Sequence, residues 1–175
     1  MASKMEAFIK AGIGGHPRLC QEALAEELKK LFQGRKYNSP AGLRGITVYQ
    51  QEVPISLEND SDADTENALT PFLIVRQEAG RVQDDDSPQR VEMSVILCAY
   101  GEDRERQGWQ DVVNMREPII QYLCSHPYFG GAFTVLRPIT WEMQQDDTHP
   151  YYYGVINLTC TSPALSQDEA LAGLI

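Results

Sequence analysis

The sequence predicts a two-layer α+β domain: a mostly antiparallel or mixed β-sheet, two main α-helices packed on one of its faces, and long acidic loops. Three observations carry this. Two separated stretches show helical spacing of apolar residues, and one ten-residue run alternates with the period of a strand. The elements follow in the order helix, strand, strand, strand, helix, strand, strand. That order lets both helices cover one face of a single sheet. The 175 residues suit one domain with a real core. The expected organisation is a flexible N-terminal segment over 1–16, one α+β domain over 17–165 and a C-terminal tail over 166–175.

The elements follow in order. Met5 to Ala11 has the makings of a short helical turn, ahead of the glycine-rich stretch Gly12 to Gly15. From Pro17, Leu24, Leu28 and Leu31 recur at i, i+4 and i+7, beside Leu19, Ala23 and Phe32. Glu22, Glu26, Glu27, Lys29 and Lys30 take the other side, with Pro17 in the first turn and Gly34 as the stop. Glu26 and Lys30 form an i, i+4 pair in the favourable order. Gly34 to Gly45 is a connection rich in Gly, Asn, Ser and Pro. Ile46 to Ile55 reads as a strand, with Pro54 marking an edge or an end. Glu58 to Asn67 has nothing to bury and predicts a loop.

Phe72 to Arg76 reads as a short buried strand, and Ala79 to Gln89 as a second acidic loop holding Asp84, Asp85 and Asp86. Val91 to Tyr100 is the clearest strand: Val91, Met93, Val95, Leu97 and Ala99 line one face, and Glu92, Ser94, Ile96, Cys98 and Tyr100 the other. The two strands are placed to pair as a hairpin. After a charged turn, Gly101 to Gly108, the second helix spans Trp109 to Ser125, and Pro118 predicts a kink or a division after Arg116. Phe133 to Leu136 and Ile139 to Met143 read as a strand broken by Pro138. A polar loop, Gln144 to Pro150, leads to the last strand, Tyr151 to Thr161. Asp168 to Leu174 is weakly helical.

The chemistry is sparse. A net charge of −10 and pI near 4.7 repel phosphate backbones, which argues against nucleic-acid binding by affinity. No apolar run approaches the ~20 residues of a membrane span, and no h-region follows the first Lys, so neither membrane nor secretory signal is expected. Cys20, Cys98, Cys124 and Cys160 stand far apart and read as buried free thiols in a reducing compartment. His16, His126 and His149 supply no zinc spacing. Asp60, Asp62 and Asp64 alternate like the start of a calcium loop but lack its Gly and terminal Glu. No nucleophile elbow occurs, and Gly12 to Gly15 lacks the context of a phosphate loop. No catalytic residue, metal or cofactor is expected. Trp141 and Tyr151, Tyr152 and Tyr153 form the notable aromatic group. Successive strand side chains alternate, so the three tyrosines divide between two faces. Aromatics with a polar tip on a sheet face are common interface anchors. Trp141, Tyr151 and Tyr153, with Asp84, Asp85 and Asp86, are therefore the candidate interface residues.

Three segments carry a likeness: Ser94-Val-Ile-Leu-Cys-Ala-Tyr-Gly-Glu-Asp, Gly108-Trp-Gln-Asp-Val-Val-Asn-Met-Arg-Glu-Pro-Ile, and Ile139-Thr-Trp-Glu-Met with Pro150-Tyr-Tyr-Tyr-Gly. Together they resemble the tail terminator or tail completion proteins, the head–tail joining group of long-tailed bacteriophages and prophages. The likeness covers the second half of the chain. The acidic stretch from Ser56 to Thr70 and Pro118 depart from it. It implies an α+β subunit that assembles, without bond chemistry, into a usually sixfold ring in the virion. Such a ring ends tail-tube polymerisation at the head-proximal end. Its implied partners are copies of itself, the tail tube protein and a head completion or connector protein, with DNA passing through the lumen unbound. The competing expectation is a small cytosolic enzyme or ligand-binding domain that uses the Trp141 and Tyr151–Tyr153 region as a pocket.

Overall fold

The structure is a computed structural model that describes residues 16–54 and 70–164. The expected turn at Met5 to Ala11, the glycine cluster 12–15, the Asp60–Asp64 run and the Asp168–Leu174 helix lie outside the described residues. Two helices, α1 (Pro17–Leu31) and α2 (Trp109–Ser125), pack on one face of a six-stranded mixed sheet. The strands of the sheet are β3 (Thr47–Gln50), β4 (Phe72–Arg81), β5 (Gln89–Tyr100), β6 (Tyr128–Phe129), β7 (Phe133–Met143) and β8 (Tyr151–Ser162). Their order is β3-β4-β5-β8-β7-β6, antiparallel except for the pair β3 and β4. A small hairpin, β1 (Tyr37–Ser39) and β2 (Gly42–Arg44), occupies the stretch expected to be a plain connection.

The alternation along β5 sets the layers. Val91, Met93, Val95, Leu97 and Ala99 are buried under the helices, beside Ile156, Leu158 and Cys160 of β8. α1 presents Leu19, Cys20, Ala23, Leu24 and Leu28 to them, as the leucine spacing predicts. Its exposed ion pairs are Glu26–Lys29 and Glu27–Lys30, at i, i+3, not the expected Glu26–Lys30. Exposed pairs of this kind contribute a few tenths of a kcal/mol. α1 stops at Leu31, three residues before Gly34. The apolar face of α1 carries one polar residue the sequence did not single out. Gln21, 5% exposed, donates to the Val75 carbonyl at 2.7 Å and accepts from Gln77 at 2.9 Å. Gln51 joins them and holds the end of β3 against β4. A buried amide satisfied in this way fixes where the helix sits along the strands.

Four expectations are corrected. β3 is shorter than Ile46–Ile55 and pairs parallel to β4, which short-range patterning does not reveal. β4 continues past Arg76 to Arg81 through a bulge between Gln77 and Ala79, so the acidic loop shrinks to 82–88. Most of the extra residues are exposed, and pairing with β5, not burial, holds them in the strand. β7 runs unbroken through Pro138, with an irregularity between Leu136 and Thr140 that absorbs the missing donor, and Tyr128–Phe129 forms a short strand before it. Finally, Pro118 does not divide α2, which runs from Trp109 to Ser125. Proline there leaves the Asn114 carbonyl without its donor four residues on. The Tyr37 hydroxyl, arriving from β1, donates to that carbonyl at 3.3 Å. We expect Tyr37→Phe to lose about 1 kcal/mol in urea unfolding, the worth of one hydrogen bond. An unchanged midpoint would remove Tyr37 as the compensation for Pro118.

Candidate interface

The pleat separates the candidate residues. Trp141 pairs in register with Ile156, which puts it on the helix face. Tyr152 lies on that face as well, opposite Ala99. Tyr151 and Tyr153 lie on the other, opposite Tyr100 and Cys98. The expected division of the three tyrosines between two faces is what the strand shows. Trp141 and the pair Tyr151 and Tyr153 therefore do not form one cluster. Asp84, Asp85 and Asp86 sit at the β4–β5 turn, at the end of β5 away from Tyr151 and Tyr153, while Trp141 stands on the rung of Val95, midway along the strand. Asp84 accepts from the backbone of Asp86 and Ser87. The Ser87 side chain, and then these backbone bonds, hold its carboxyl below the usual range.

Trp141 is 48% exposed, with the Arg116 guanidinium 3.6 Å from its ring centroid. Arg116 is itself 7% exposed and donates to Glu117 at 2.6 Å. A guanidinium stacked on a ring and paired with a carboxylate is held in one orientation. Trp109, seven residues earlier on α2, is also exposed. Arg116 was missed in the sequence; a single cation among the apolar positions of α2 was its signal. Beyond Leu136 the outer side of β7 has no strand beside it among the described residues, because β6 pairs only with Phe133 and Thr134.

On the other face, Tyr100 and Tyr151 meet edge-on at 5.6 Å, and Tyr49 and Phe72 at 6.1 Å. Ile74, Ile96 and Val155 make a half-buried row between them and the more polar end of the sheet. Cys98 lies against Tyr153, and burial pushes its thiol up to about 12. The unfolded thiol titrates from 9.0, so stability is whole below pH 9.0 and falls as the pH rises toward 12. Urea unfolding across that window is expected to become less steeply pH-dependent in Cys98→Ala, with the raised Cys20 thiol and Tyr100 hydroxyl carrying part of the slope that remains. An unchanged slope would show that this thiol does not couple to folding. Cys20 and Cys160 meet in the core, and that contact together with burial raises the Cys20 thiol well above its ordinary value.

The turn 101–108 and the loop 144–150 clasp each other. Arg106 bonds Asp147, whose carboxyl is held below its usual range, and the Gly101 amide donates to the Pro150 carbonyl at 2.9 Å. His149 lies 3.2 Å from the Tyr152 hydroxyl. A cleft of about 310 Å³ runs along this clasp, bordered by Trp109, Met143 and Tyr152. Among the described residues no three His, Cys, Asp or Glu side chains gather as metal ligands, and no helix is long and apolar enough to cross a membrane. Compared with known proteins, the sequence matches no family model and no curated protein.

Proposed function

We propose that this chain is a tail terminator or tail completion protein of a long-tailed phage or prophage. In this reading it forms a ring, usually of six subunits, on the head-proximal end of the tail tube. It stops tube polymerisation and offers the surface to which the head completion or connector protein binds, while DNA passes through the lumen unbound. It performs no bond chemistry.

The likeness of the three quoted segments supports this reading. The observation that carries it here is the build of one of them: Ile139 to Met143 forms an exposed sheet edge, with Trp141 oriented by Arg116 on its surface. An exposed aromatic ring held in one orientation by a buried Arg suits an interface. The net charge of −10 accords with a lumen that lets DNA pass. A second reading, a small cytosolic enzyme or ligand-binding domain, would use the cleft along the 101–108 and 144–150 clasp. There Arg106 and Asp147 satisfy each other, and His149 meets Tyr152, so fewer polar groups remain to fix a ligand.

The experiment adds the purified chain to polymerising tail tube protein and images the products by negative stain. Tubes that stop growing, each bearing a ring at one end, are expected. Unlimited tubes beside a strictly monomeric chain would overturn the reading.

A further inference from the structure

Among the described residues, β3 and the part of β7 beyond Leu136 have no strand on their outer sides, and the geometry of these two edges matches. The Thr47 amide donates to the Pro71 carbonyl and the Gln51 amide to the Val75 carbonyl, so both point toward β4. The intervening Val48 therefore turns its amide and carbonyl outward, as does Gln50, whose carbonyl also accepts from the Glu52 amide at 2.8 Å. On the far edge the Gln144 amide donates inward to the Tyr153 carbonyl. By alternation Trp141 and Met143 turn theirs outward.

These outward residues share rungs across the sheet. Met143 pairs with Gly154, Gly154 with Leu97, Leu97 with Leu73, and Leu73 with Val48. Trp141 leads by the same route through Ile156, Val95 and Val75 to Gln50. The strand β3 runs opposite to β7, as the pairings from edge to edge require. All four side chains lie on the helix face.

The edges also differ in charge. Residues 29–51 contain Lys29, Lys30, Arg35, Lys36 and Arg44 and no carboxylate, in a chain of net charge −10. Lys29 and Lys30 pair with Glu26 and Glu27, whereas Arg35, Lys36 and Arg44 form no ion pair among the described residues. Residues 138–150 contain Glu142, Asp146 and Asp147 and no Lys or Arg. Asp147 bonds Arg106, while Glu142 and Asp146 stay exposed without an ion pair among the described residues. Both groups lie toward the same end of the sheet, beside the starts of β3 and β8.

We propose that copies of this chain join head to tail by adding the β7 edge of one to the β3 edge of the next. This deepens the ring-forming reading and rests on it. Val48 stands opposite Met143 and Gln50 opposite Trp141, in an antiparallel junction. Rotation about an axis along the strands brings these rungs together without a rise, keeps the helix layers on one side, and sets Arg44 and Lys36 near Glu142 and Asp146. A heterologous contact whose rotation closes makes a ring. Strand addition supplies main-chain hydrogen bonds, and the opposed charges select the register.

The test uses two charge-reversed chains, Lys36→Glu with Arg44→Glu and Glu142→Lys with Asp146→Lys, followed by sedimentation at low salt. Each alone is expected to self-associate about tenfold more weakly than the unaltered chain. An equal mixture of the two is expected to recover, because every edge then meets a complementary one. Trp141→Lys, a single exposed substitution, is expected to weaken association similarly, and far-UV circular dichroism confirms that each variant is folded. Variants that associate like the unaltered chain, or a mixture that fails to recover, would overturn the edge pairing and leave ring formation through another surface intact. An unaltered chain that stays monomeric up to about 100 µM also overturns it. Tube capping is then judged by its own assay.

Discussion

Phe133→Ala is expected to destabilise the fold by about 3–5 kcal/mol, read from urea unfolding followed by circular dichroism. Phe133 is fully buried and its ring lies 5.8 Å from that of Phe129. It opens β7 directly after the Gly130–Gly131 turn, where both glycines have positive φ, 60° and 75°. That turn reaches under α1: a Cβ on Gly130 would lie 2.7 Å from the Ala23 Cβ. Removing the Phe133 ring therefore empties the place where α1, the turn and the central sheet meet. The backbone there is held by the turn and by pairing with β8, so it has little freedom to collapse into the space. A loss under about 1 kcal/mol would mean that the site relaxes and that the turn does not hold it open.

Gly154→Leu is expected to cost about 3 kcal/mol, at the upper end of ordinary overpacking. A Cβ at Gly154 would stand 2.8 Å from Val112 Cγ1 and 3.4 Å from the Glu142 carbonyl oxygen. The glycine that closes the Tyr-Tyr-Tyr-Gly phrase lets α2 rest directly on β8. Combining Gly154→Leu with Val112→Ala removes the obstructing methyl groups. The double variant is expected to be less destabilised than the sum of the two single changes, the mark of contacting residues. Additive losses would show that α2 is already displaced from the sheet at this point.

The sequence legibly carried both helices, the long strand β5, the last strand and the two-layer plan. Each rests on a pattern confined to one segment: the leucine spacing of α1, the alternation from Val91 to Tyr100, or the apolar positions of α2. It also carried the division of the three tyrosines between two faces, because alternation is a property of a single strand. It did not reveal β1 and β2, where Tyr37 is buried as one member of a core built from distant elements. Nor did it reveal β6, two residues long and paired only with β7 among the described residues. Arg116 was hidden for a similar reason: its partner Trp141 lies on another element.

The sequence by itself determined which segments are helices, the long strands β5 and β8, and which face of β5 is apolar, since side-chain spacing along one chain decides that. Tertiary structure decided the parallel pairing of β3, the continuation of α2 through Pro118 and the face on which Trp141 lies. These depend on partners far along the chain: β4 for the first, the Tyr37 hydroxyl for the second, and the register of β7 on β8 for the third. Register matters most for the candidate interface. A shift of one residue along β8 would turn Trp141 to the opposite face, and only the paired strands specify that shift.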